Sequence, residues 1–149
     1  MINPDPLGDD SPNDPLRRWF VEHGHPSTES PMEAMFECAL RLLIGREASK
    51  EYITVECQAP IGLCDGRDGR ADFMISAWGY RLYVEIDGFA FHERTSEQAA
   101  ADRARDRHLH MIGYPPIRFM GRDVWLDPIA CALQALNCLR NMANRDGAQ

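Results

Sequence analysis

The apolar positions along the chain change period four times. From residue 30 to 45, Met32, Met35, Phe36, Ala39, Leu40 and Leu43 recur at helical spacing. Ser30-Pro31-Met32-Glu33 in front of them reads as a helix start: a Ser cap, Pro in the first turn, and Glu at the capping-box position. Gly45 is the expected stop. From Tyr52 to Gln58 the period shortens to two, with Ile53, Val55 and Cys57 set against Thr54, Glu56 and Gln58. Alternation returns over Arg70–Ala77 (Ala71, Phe73, Ile75, Ala77 apolar) and over Tyr80–Asp87 (Leu82, Val84, Ile86 apolar). Trp78-Gly79 between them predicts a tight hairpin, although the dipeptide is not a favoured turn pair. Cys64–Gly69 reads as a turn region. Helical spacing resumes over Ser96–Ile112, with Ser96 as cap and Gly113 as stop. Ile117-Arg118-Phe119 predicts a short strand after Pro115-Pro116. Asp127-Pro128 opens a last helix, whose expected buried stripe is Ile129, Ala132, Leu133, Leu136 and Leu139.

The order of elements is therefore helix, three strands, helix, strand, helix. This predicts a mixed α/β layer fold, with an antiparallel meander and a fourth strand added in parallel through a right-handed crossover. The 149 residues suit one domain. We place it at 30–143, between a Pro/Asp-rich, weakly ordered arm over 1–29 (with Leu16–Val21 as one helical turn) and a frayed tail over 144–149. No run of 18 apolar residues exists and the N-terminus lacks an apolar signal core, so the expected location is cytoplasmic, with no membrane partner. The five cysteines are odd in number and form no C-x-x-C pair, which predicts incidental buried thiols rather than a disulfide framework or zinc knuckle.

The hairpin register brings the first chemistry. If Ala77 pairs with Tyr80, then Ile75 meets Leu82, Phe73 meets Val84 and Ala71 meets Ile86, so every apolar residue faces an apolar partner. The same register sets Asp72 opposite Glu85, with Asp87 two residues on along the same face. Directly opposed like charges destabilise a sheet. A cation, a shared proton or nearby arginines must offset the repulsion. The plain alternative is a solvated polar face on which Arg70 and Arg81 pair these acids. A hard divalent cation suits oxygen ligands, and Mg²⁺ sites commonly use one or two carboxylates completed by water and phosphate. Metal-assisted phosphodiester hydrolysis follows from that chemistry. The net charge of −7 argues against a protein that coats duplex DNA by charge alone. All but one of the 16 basic residues are arginine, which leaves Lys50 as the sole candidate for any lysine-dependent mechanism.

Together, Asp72, the string Val84-Glu85-Ile86-Asp87-Gly88, His92, Asp102, Arg105-Asp106, Leu109, Gly113 and Ile117-Arg118-Phe119 resemble the very-short-patch-repair endonuclease-like proteins. Those belong to the restriction-endonuclease-like PD-(D/E)XK superfamily, and the match runs from about Ser30 to Leu136. The resemblance implies a restriction-endonuclease-like α/β core: helix, three-stranded antiparallel meander, helix, short parallel strand, C-terminal helix. It implies a DNA endonuclease site on the central hairpin that uses Mg²⁺ or Mn²⁺, with Asp72 and Glu85 as metal ligands and Glu33 as the additional helix acid. Two positions depart from the superfamily pattern. Asp87 stands where lysine is usual, and Ala71 replaces the proline before the Asp. Water activation then falls to the metal alone, to Asp87 or to His92.

Each of these residues also has an ordinary reading. Glu33 suits a capping box, and His92 a plain loop histidine. Gln58 either touches phosphate or water or is structural. Arg105 steadies a phosphate or the acids Asp102 and Asp87, or makes only a salt bridge. Arg118 binds substrate or pairs with an acid. Arg103, Arg107 and His110 form a separate face, solvated or against backbone phosphate. Trp78 stacks on a base or packs. Three functional classes follow: a metal-dependent endonuclease with DNA as partner, and with a homodimer or a protein partner supplying specificity; a catalytically inactive nuclease-like module binding nucleic acid or protein; and a small-phosphoester hydrolase, which the missing Gly-rich phosphate loop makes the weakest.

Overall fold

A computed structural model of the chain describes residues 30–48, 50–62, 68–88 and 95–147. The arm expected over 1–29, most of the turn after the first strand, and His92 lie outside the described residues.

Helix α1 spans Pro31–Gly45, with Ser30 Oγ accepting the Glu33 amide as its cap. A 3₁₀ turn, Lys50–Tyr52, leads into β1, Thr54–Gly62, which runs further than the alternation predicted. Strands β2 (Asp68–Ala77) and β3 (Tyr80–Asp87) form the expected hairpin. Its turn holds Trp78 at φ 54° and Gly79 at φ 83°. Two positive φ values are the requirement of a type I′ connection, which matches the twist of the flanking strands. Helix α2, Ser96–Met111, is capped by Thr95 rather than Ser96. Thr95 Oγ1 accepts the Gln98 amide while Gln98 Oε1 accepts the Thr95 amide, a complete capping box. Gly113, at φ 85°, ends it as expected. Then follow β4 (Ile117–Met120), a short helix α3 (Gly121–Leu126) that periodicity did not predict, and α4 (Pro128–Gly147).

The sheet order is β1-β2-β3-β4, with the first two pairings antiparallel and the last parallel. This is a mixed α/β fold. The main core packs α1, α3 and α4 on one sheet face, around Phe36, Leu40, Phe73, Ile75, Val84, Phe119, Val124 and Leu139. Phe36 is its hub, with ring centroids 5.1 Å from Phe73 and 5.6 Å from Phe119. A smaller cluster of Ile61, Ala71, Tyr83 and Leu109 lies apart from it. Leu109 is the one buried residue of α2.

The buried side of α4 differs from the expected stripe. It runs through Pro128, Cys131, Ala132, Ala135, Leu136 and Leu139, leaving Ile129 and Leu133 exposed. Cys131, Ala132 and Ala135 fill that side together with Leu136 and Leu139. The helix also continues to Gly147, past the expected fraying point. Tyr80 Oη donates to Asp146 Oδ2 at 2.6 Å, and Arg140 pairs with Glu47. Gly121 begins α3 hard against the end of β3: a Cβ there would lie 3.0 Å from the Asp87 carbonyl oxygen and 3.3 Å from Met32 Cγ. No helix among the described residues is long and apolar enough to cross a membrane.

Candidate active site

The β2–β3 ladder follows the expected register from Ala77↔Tyr80 as far as Phe73↔Val84. There it opens. Asp72 and Glu85 are not backbone partners, and nor are Ala71 and Ile86. Asp72 Oδ2 instead accepts the Ile86 N–H at 2.7 Å, so a side chain takes the amide that a strand would otherwise use. The neighbouring strand is irregular at the same level. Gln58 has φ 52° and falls between the pairs Cys57↔Phe73 and Ala59↔Ala71. Cys57 and Phe73 pack with the main core, whereas Ile61 and Ala71 pack with the smaller cluster. Both strands thus exchange faces about Gln58 and Asp72, which is why Ala71 leaves the stripe of Phe73, Ile75 and Ala77. On the other side of β3, β4 pairs from Val84↔Ile117 to Asp87↔Met120.

The opening gathers acids where water is scarce. Glu85 is 5% exposed, Asp87 7% and Glu33 7%. Burial pushes the Glu85 carboxyl up to about 8, reinforced by the nearby Asp72 charge and only partly opposed by Arg105. Burial also raises Asp72, against the lowering effects of the Ile86 amide, Arg105 and a hydrogen bond from Glu85. Asp72 and Glu85 thus interact directly, each carboxyl affecting the titration of the other. Glu33 turns toward β1, where its Oε2 accepts a hydrogen bond from Gln58 Nε2 at 3.0 Å.

Two arginines meet these acids, and they meet them differently. Arg118, the register partner of Glu85 on β4, sends its guanidinium to Asp87 Oδ1 (Nη1, 2.8 Å) and Asp106 Oδ2 (Nη2, 2.6 Å; Nε, 3.1 Å). Arg105, reaching in from α2, places Nη2 3.1 Å from Glu85 Oε1, 3.7 Å from Asp102 Oδ1, and Nε 3.9 Å from Asp106 Oδ1. Its one well-made hydrogen bond goes to the Arg70 carbonyl, at 2.9 Å. Glu85 Oε1, Arg105 Nε and Asp106 Oδ1 are all buried without a hydrogen-bond partner. Glu85 Oε1 thus has a charge beside it but no aligned donor. Arg81 is exposed and paired with Ser76 on the ladder, away from these acids.

The structure brings Asp72, Glu85, Asp87, Arg105 and Arg118 into one cluster and links Glu33 to Gln58 beside it. His92 lies outside the described residues. Sequence reading gave no site role to Asp106, which bridges both arginines. Asp102, Arg105 and Asp106 stand at helical spacings of three and four, and that pattern alone marks one face of α2. Among the described residues, no three or more His, Cys, Asp or Glu side chains are grouped to hold a metal ion. A two-carboxylate site is still chemically apt. Asp72 and Glu85 are hard oxygen donors, and Glu85 Oε1 lacks a hydrogen-bond partner, which suits Mg²⁺ or Mn²⁺ completed by water and phosphate.

Fold and site define a mixed α/β protein with a carboxyl pair, a buried Glu85 and a half-buried Asp72, at the open end of its central hairpin. Comparison of the chain with models of known protein families, with curated proteins and with solved structures gives no match.

Proposed function

We propose that this chain is a divalent-metal-dependent endonuclease that hydrolyses DNA phosphodiester bonds on a restriction-endonuclease-like core. The observation that carries this reading is the opened hairpin: Asp72 is fixed by the Ile86 amide beside Glu85, whose buried Oε1 has no aligned donor. The resemblance to very-short-patch-repair endonuclease-like proteins in the same residues supports it. Asp72 and Glu85 would hold Mg²⁺ or Mn²⁺; Glu33, the third ligand that the resemblance implies, accepts from Gln58 and is not grouped with them. The bound cation would polarise the scissile phosphate and lower the pKa of an attacking water. Arg105 and Arg118 would orient and neutralise phosphate oxygens, and Gln58 would hold a phosphate or a water. Asp87 is committed through Oδ1 to Arg118, so proton transfer would fall to His92 or to the chemistry that the cation itself supplies. DNA is the partner in this reading, the location is cytoplasmic, and a homodimer or protein partner supplies specificity.

A second reading, a nuclease-like binding module without turnover, is favoured by Arg105 already standing on Glu85. One experiment separates the two. Supercoiled plasmid is incubated with purified protein and Mn²⁺, beside EDTA and Asp72→Ala controls. Metal-dependent nicking that disappears in Asp72→Ala is the expected outcome. Cutting that survives the substitution defeats the site, and folded protein that leaves every substrate intact favours the binding module.

A further inference from the structure

The two arginines of the site differ in how well they are seated. Arg118 makes three short hydrogen bonds to two carboxylates. That is the geometry of a lasting clamp, because charge-assisted bonds with good alignment are about twice as strong as neutral ones. Arg105 is buried to a similar or greater degree, with its side chain 15% exposed against 30% for Arg118. Yet among the described residues its one hydrogen bond goes to a backbone carbonyl. Its Nε is buried with no acceptor, and its contacts to Asp102 and Asp106 are too long for hydrogen bonds. Buried polar atoms left without partners carry a cost. Arg105 is held in place by charge, in a seat whose shape does not fit it.

The charges explain why it is there. Asp72, Glu85, Asp87, Asp102 and Asp106 surround the site, and Arg118 neutralises chiefly Asp87 and Asp106. Glu85 and Asp72 are left short of positive charge. We propose that Arg105 is a displaceable occupant of the candidate metal site: its guanidinium stands against Glu85 Oε1, where the divalent cation would bind, and must leave for the cation to enter. This inference rests on the metal-site reading above and adds a built-in competitor to it. Cation binding would release Arg105 from Glu85, one of the links between α2 and β3 beside the packing of Leu109 with Tyr83. The freed guanidinium, a planar fork of donors, is suited to a phosphate oxygen. Metal and substrate phosphate would then be taken up together.

The test titrates Mn²⁺ alone into the full chain, comparing wild type with Arg105→Gln and Asp72→Asn by calorimetry. Asp72→Asn keeps an oxygen for the Ile86 amide but removes the charge. Arg105→Gln should bind Mn²⁺ roughly tenfold tighter, the order expected when one positive charge is removed beside a part-buried ligand. Detectable binding only in Arg105→Gln is the extreme of the same result. Equal or weaker binding overturns the proposal. Should Arg105→Gln not fold, hydrogen exchange on the wild type decides the matter: with Mn²⁺, the amides of α2 should exchange faster while those of β3 slow, and slowing of both overturns it. The two levels of failure are distinguishable. Mn²⁺ bound by wild type, lost in Asp72→Asn and unchanged in Arg105→Gln sinks only the role of Arg105. No binding in any variant sinks the metal site as well.

Discussion

Glu85 is the residue whose chemistry is most altered by its place. The folded chain keeps its proton up to about 8, whereas the unfolded chain releases it near the ordinary 4.5. Between those values the native state binds more protons than the unfolded state, so stability falls as pH rises. The stabilising contribution is complete below about 4.5 and is lost on passing through about 8. Asp72, also raised by burial, acts in the same direction. In EDTA, thermal unfolding should therefore give a Tm that declines from pH 5 to pH 8, and Glu85→Gln should flatten that decline. A variant with the wild-type slope would show that Glu85 is already ionised at neutral pH.

Among the elements, the β2–β3 hairpin carries a visible misfit. Trp78 occupies a left-handed position at φ 54°, where Asn or Gly is preferred, and its side chain is partly exposed. Left-handed backbone costs an ordinary residue about 1–2 kcal/mol. Trp78→Asn should thus raise Tm by about 3 °C, the shift that roughly 1 kcal/mol gives a domain of this size. A lower Tm in that variant would mean that indole packing outweighs the backbone strain.

The elements also show what could be read from the chain and what could not. Local signals were legible: the Ser30 cap, the helical stripe of α1, the glycine stop after α2 and the hairpin register down to Phe73 and Val84. Each depends on residues close in sequence. The opening at Asp72 was not legible, because alternation continues through Ala71 and Ile86 while a side chain takes over the ladder. Nor could Gln58 be seen as left-handed, since glutamine carries no such preference. The charge offset was left open between a cation, a shared proton and arginines. The structure supplies arginines, but from α2 and β4 rather than from the hairpin's own Arg81. That choice is set by how α2 lies across the sheet, which no local pattern encodes. Helix α3 was missed for a related reason: its six residues are too few to show a period, and packing of Val124 and Trp125 holds it.

At the scale of the whole molecule, the two sides of the sheet are covered by different forces. Helices α1 and α4 bury long apolar stripes, but α2 contributes one fully buried side chain and otherwise rests on the Arg105 and Arg118 ion pairs. Apolar burial is indifferent to modest salt and the Arg105–Glu85 pair is largely shielded from it, whereas the part-exposed Arg118–Asp106 pair weakens as the screening length shrinks from about 10 Å at 0.1 M to about 3 Å at 1 M. Proteolysis in rising NaCl should therefore cut within α2 well before it cuts α1 or α4; uniform resistance would mean that Leu109 and its neighbours suffice to hold the helix. One helix of this protein is thus joined to its sheet in part by an electrolyte-sensitive bond. The ionic strength of its surroundings would then bear on how firmly α2 covers the acids of the open hairpin.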